Sequence, residues 1–149
     1  MGARLSAKDV WRVGPAVAVT LAVFVLSLLP ACCFRGVEQA LPLFPGADKV
    51  VHAAMYAAVV AAWVHAVRPE RRRWRVLLRL AAAATLYGLV MEVGQKVLTR
   101  TRTMDPLDGC ANAAGAFLCA AAVGAWSGRS AGERAAPGRG RDQTEGGAT

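Results

Sequence analysis

The chain has 149 residues, 55% of them hydrophobic, yet it carries a formal net charge of +8. The apolar residues fall in four blocks separated by charged loops, which leaves too little chain for a soluble domain. A soluble helical bundle is disfavoured too. No charge occurs from Val13 to Phe34 or from Leu80 to Met91, whereas soluble amphipathic helices show a charged stripe every turn.

The first block runs from about Val13 to Cys33, and a spanning helix needs roughly 20 mostly apolar residues. Leu29-Pro30-Ala31-Cys32 at its end resembles a lipoprotein signal. Proline fits that signal poorly and three more spans follow, so the segment reads as a retained helix. The loop from Arg35 to Ala47 holds Pro42, Pro45 and Gly46 and is expected to be irregular.

The second block, from about Val50 to Val67, is the shortest. Asp48 is placed to N-cap it. Asp48, His52 and Tyr56 are spaced i, i+4, i+8 and form one stripe. Lys49 sits off that stripe, where its ammonium could reach head groups. Trp63 and His65 fall near the far end of the helix.

The third block runs from about Val76 to Val97. Gly88, Glu92 and Gln95 share one face of it. Glu92 lies 13 residues past Arg79, or roughly 20 Å along a helix. Lys96, one turn on, could pair with it.

The fourth block runs from about Leu107 to Trp126. Pro106 suits its first turn, with Asp105 as the cap. Asp108, Asn112 and Gly115 line one face. Ala111, Gly115, Ala120 and Gly124 are small enough to let another helix approach. Residues 127–149 are rich in Gly, Arg and Ser and are expected to form a disordered tail.

Charge fixes the expected orientation. Residues 34–49 are neutral, whereas residues 68–79 carry six Arg against Glu70, a net +5. The arginine-rich stretch should therefore be cytoplasmic, and an even number of crossings puts both termini inside. Trp11, Trp74 and Trp126 fall at the same interface. The basic stretch reads as a topology signal with anionic-lipid contact rather than a nucleic-acid site. The expected fold class is all-α: a polytopic membrane protein, a bundle of four transmembrane helices over residues 1–126, followed by a cytoplasmic tail.

Ionisable groups at membrane depth are costly and point to function. Three polar clusters fall on the same side: Asp48, Lys49, His52 and Tyr56; Glu92 and Gln95; and Arg102, Asp105, Asp108 and Asn112. One reading is a ligand-binding pocket with Lys49, Arg100 and Arg102 at its rim, drawing in an anionic lipid, a lipid-linked cell-wall precursor or a peptide carboxylate. A second is an acid–base enzyme using His52, Glu92 and Asp108. A third is a polar network that only fixes helix register. A transporter of four helices would need to oligomerise. No serine or cysteine is clearly placed as a nucleophile. One histidine is a thin metal-ligand set, so no metal or cofactor is assigned. Cys110 could pair with Cys32 or Cys33, or all could be free.

Asp48-Lys49-x-x-His52-x-x-x-Tyr56, Glu92-x-x-Gln95 and Arg102-x-x-Asp105-x-x-Asp108-x-x-x-Asn112-x-x-Gly115 together resemble the VanZ-like family. Leu26-Ser27-Leu28-Leu29-Pro30 is similar to that family's pattern as well. Ala53 stands where the family usually has an aromatic residue, and Cys119 where it often has a small one. The family comprises small bacterial membrane proteins whose founding members are associated with resistance to the glycopeptide teicoplanin. The resemblance implies a multi-pass protein of the bacterial cytoplasmic membrane that acts at the cell envelope and contributes to glycopeptide resistance.

Overall fold

The computed structural model describes residues 7–29, 46–98 and 105–135. Their regular structure is entirely helical: α1 (Ala7–Leu28), α2 (Ala47–Ala66), α3 (Trp74–Leu98) and α4 (Pro106–Ala135). A single 3-10 turn, Pro69–Arg71, links α2 to α3. Each of the four helices is long and apolar enough to cross a membrane. The helices begin one to six residues before the apolar blocks do, because polar and charged residues extend a helix without breaking it. At its far end α4 runs past the expected stop at Trp126, through Ala135, since propagation of an existing helix is easy.

The side-chain contacts give an up-and-down order. Arg12 Nη2 donates to Val67 O (3.4 Å), so the start of α1 meets the end of α2. Trp63 Nε1 donates to Thr20 Oγ1 (3.1 Å), and Tyr87 OH donates to Thr20 O (3.1 Å) at mid-height. Gln95 Nε2 donates to Ser27 O (2.8 Å), joining the end of α1 to the end of α3. The α2–α4 contact is the most extensive, α3 packs against α4, and α1 lies against α2 and α3. Trp63, in the last turn of α2, is thus half-buried and hydrogen-bonded inside the bundle. An indole N–H in an apolar setting needs an acceptor, and Thr20 provides one.

The core holds Tyr56, Val59, Val60, Val64, Leu77, Ala81, Ala84, Ala116 and Ala120. Its alanines let backbones approach closely. Two glycines carry that further. A methyl at Gly115 would collide with the backbone carbonyl of Ala53, so α2 and α4 touch main chain to main chain there. A methyl at Gly124 would come within 2.8 Å of the Trp74 ring. The exterior is apolar: Leu21, Phe24 and Val25 of α1, Leu86 and Val90 of α3, and Leu118 of α4 are all exposed. Contiguous apolar surface on this scale calls for lipid or a partner.

At the arginine-rich end, Arg12 and Arg72 both donate to Val67 O, the latter from Nε at 3.2 Å. Guanidinium groups are favourable at this position because a helix C-terminus carries partial negative charge. Trp11, Trp74 and Trp126 are all exposed at this end.

Gly115→Ala is expected to destabilise the fold by about 3 kcal/mol, since backbone cannot yield as a side chain can. Gly14, with open space around it, should tolerate Ala or gain up to about 1 kcal/mol from helix propensity. Thermal unfolding of both variants in detergent checks the contrast. Equal midpoints would remove the α2–α4 backbone contact from the account.

Candidate functional site

The polar side chains collect where α2 begins, α3 ends and α4 begins. The entry to α2 is set by Gly46, whose φ of +88° is open to glycine at no steric cost. Gly46 is therefore the N-cap, and Asp48 is not. The helix starts one residue ahead of Asp48, which lies in the first turn without a capping bond. Its charge still faces the positive end of the helix dipole. Asp105 does cap α4: its Oδ1 accepts from Leu107 N–H at 2.9 Å, with Pro106 in the first helical position.

Lys49 closes the mouth of the cluster. Its ammonium donates to Asp48 Oδ2 (2.8 Å), Asp105 Oδ2 (2.9 Å) and Asp108 Oδ1 (2.9 Å). An ammonium has three N–H donors, and all three are used. The expectation has Lys49 reaching toward head groups; in the structure its ammonium turns to carboxylates at the start of α4. Salt screens such a bond least where it is least exposed, and the Asp108 side chain is only 18% exposed.

Beneath Lys49 lies His52. Its Nδ1 is 3.1 Å from Asn112 Oδ1. An amide oxygen only accepts, so Nδ1 carries the proton in this orientation. Glu92 Oε1 is 3.9 Å from the same nitrogen, and Asp108 Oδ2 is 3.8 Å from Nε2. Asn112 and Glu92 are 1% and 3% exposed. Asp108 and Asn112 are one turn apart on α4, which lets a single imidazole face both. Gly88 makes room for this arrangement: a methyl there would come within 3.0 Å of the Tyr56 ring and 3.1 Å of Asn112 Nδ2.

The remaining expected site residues divide. Tyr56 is buried one turn below His52, its ring 5.9 Å from that of Tyr87, and belongs to the core beneath the cluster. Gln95 is buried and turns to α1, where it holds Ser27 O. Arg102, with Arg100, Cys32 and Cys33, lies outside the described residues, and so does any pairing of Cys110, which is exposed. Sequence reasoning missed Thr20 and the Ser27 carbonyl as polar partners. A threonine in an apolar run gives little signal, and a backbone carbonyl gives none.

The described groups thus form a ladder: Lys49 among three carboxylates, then His52 between Asp108 and Glu92, then Asn112. Such a ladder can hold a hydroxyl, an amine or a cation, or move a proton through the imidazole. No family model, characterised protein or solved structure matches the chain.

The Lys49 ammonium, followed by the Leu107 N–H, holds the Asp105 carboxyl below its ordinary value of 3.8. A carboxyl lowered in the folded state stabilises the fold above the unfolded value, and that contribution is lost as pH falls through the folded value. Asp105→Asn should therefore lower the unfolding midpoint at neutral pH. The gap to the parent should narrow once pH drops below 3.8. A gap that stays constant from neutral to acid pH would contradict the Lys49–Asp105 pair.

Proposed function

We propose that this chain is a VanZ-like multi-pass protein of the bacterial cytoplasmic membrane, which binds the head group of an anionic lipid or lipid-linked cell-wall precursor at the outer end of its bundle. One observation carries the reading. Ionisable and amide side chains from α2, α3 and α4 gather at the end of the bundle opposite the arginine-rich 3-10 turn. With that turn in the cytoplasm, as positive charge favours, both termini are inside and the cluster opens to the outer leaflet. The apolar exterior suits lipid contact.

Lys49 is consumed by carboxylates, so the cation that meets an anionic head group is assigned to Arg102, with Arg100 beside it in the segment leading into the Asp105 cap. A guanidinium forks onto phosphate or carboxylate with two bonds. The carboxylates and His52 below would take the hydroxyls or amines of the same ligand. A contribution to teicoplanin resistance follows if the ligand is a cell-wall precursor, and this part rests on the family resemblance alone.

A second reading has its own support. His52 stands between two carboxylates, 3.8 Å from Asp108 and 3.9 Å from Glu92, which is an arrangement for acid–base work on an envelope lipid.

Topology is testable by reporter fusions. A fusion after Glu70 should report the cytoplasm, and an extracytoplasmic signal would reverse the placement of the cluster. Binding and catalysis separate by variant. Arg102→Gln should weaken binding of phosphatidylglycerol nanodiscs about tenfold, the scale of one charge-assisted bond, and high salt should mimic it. Under the enzyme reading Glu92→Gln abolishes turnover of the envelope lipid while the lipid still binds. Unchanged lipid binding in Arg102→Gln, with no Glu92-dependent lipid modification in cells, would leave the polar ladder as a structural network.

A further inference from the structure

We infer that His52, Glu92 and Asp108 form a binding site for one divalent transition-metal cation. One ring nitrogen of His52 and one carboxylate oxygen each from Glu92 and Asp108 lie within 4.8 Å of one another. Ligand atoms bound about 2.1 Å from one ion sit about 3 to 4.2 Å apart. The three residues come from three helices packed against each other.

The hydrogen bond to Asn112 is an independent pointer. A metal-binding imidazole ordinarily donates its other N–H to an acceptor, which fixes both tautomer and ring plane. Here Nδ1 faces Asn112 Oδ1 at 3.1 Å, and Nε2 lies on the Asp108 side, 3.8 Å from Oδ2. The absence of a side chain at Gly88 leaves room for the Asn112 amide. The tautomer and Asp108 thus suit an ion on Nε2, and Glu92 Oε1, 3.9 Å from Nδ1, would swing toward Nε2 to complete the set.

Charge points the same way. Among the described residues the ladder sets Asp48, Asp105, Asp108 and Glu92 against the Lys49 ammonium. Glu92 is 3% exposed, and a divalent cation is a strong counter-charge for a carboxylate at that depth. One imidazole with carboxylate oxygens suits Zn²⁺ or Mn²⁺ better than a soft ion. The second acidic group, Asp48, Asp105 and Asp108, is not such a site, because the Lys49 ammonium already occupies its centre.

The site stands on this geometry and does not need the head-group reading. Where both hold, the ion adds the positive charge that an anionic head group requires and Lys49 no longer offers.

The test is a titration of the full chain, purified in detergent and stripped with chelator, using Zn²⁺ by calorimetry and Mn²⁺ by electron paramagnetic resonance. One ion per chain is expected. His52→Ala, Glu92→Gln and Asp108→Asn should each weaken binding tenfold or more, and Asn112→Ala, which removes the support behind the imidazole, about tenfold. Asp108 is nearest the surface, so Asp108→Asn keeps the test open if a deeper variant fails to fold. Arg102→Gln should leave ion binding unchanged while weakening lipid binding, which keeps the two proposals separable. A wild-type chain that binds no ion, or folded ligand variants that bind it as the wild type does, overturns the metal site and leaves the head-group reading standing.

Discussion

Burying a carboxylate, an imidazole and a carboxamide within an apolar bundle is costly, and the way that cost is met sets the register of three helices. Each polar group needs a partner, and the partners lie on other helices. His52 of α2 meets Asn112 and Asp108 of α4 and Glu92 of α3. A shift of α4 by one residue would turn Asp108 and Asn112 away by about 100°, the rotation per residue of a 3.6-residue turn. The backbone contact at Gly115 then follows, because only that register brings Ala53 against it.

The two ends of the bundle solve different problems. At the arginine-rich end, guanidinium groups from α1 and from the turn after α2 cap the same carbonyl, Val67 O. At the other end the cation is inside the cluster and the carboxylates surround it. Between them, one threonine ties three helices: Thr20 accepts from Trp63 and Tyr87 and back-bonds to Ala16.

Much of this was legible in the sequence. Apolar runs located the four helices, and i, i+4 spacing placed His52 above Tyr56 and Asp108 above Asn112. Pro106 after Asp105 marked the start of α4. The unread parts depended on what faces a residue across a gap. Lys49 looked outward by its position on α2, but its partners Asp105 and Asp108 belong to α4. Gln95 shared a face with Glu92, yet three residues fall about 60° short of a full turn, and that offset directs it to α1 instead. Asp48 looked like a cap because nothing in the composition showed that the helix begins at Ala47, behind a left-handed glycine.

The central claim is that the buried polar ladder serves a ligand and is retained at a cost to the fold. Replacing a buried ionic group completely by apolar residues of similar size is often neutral or stabilising, whereas a group kept for structure leaves a loss behind. The direct measurement is the unfolding midpoint in detergent of the combined variant His52→Leu, Glu92→Met and Asn112→Leu. The account predicts a midpoint equal to or above that of the parent chain. A variant that unfolds well below it, or fails to fold, would contradict the claim and make the ladder a strut of the bundle.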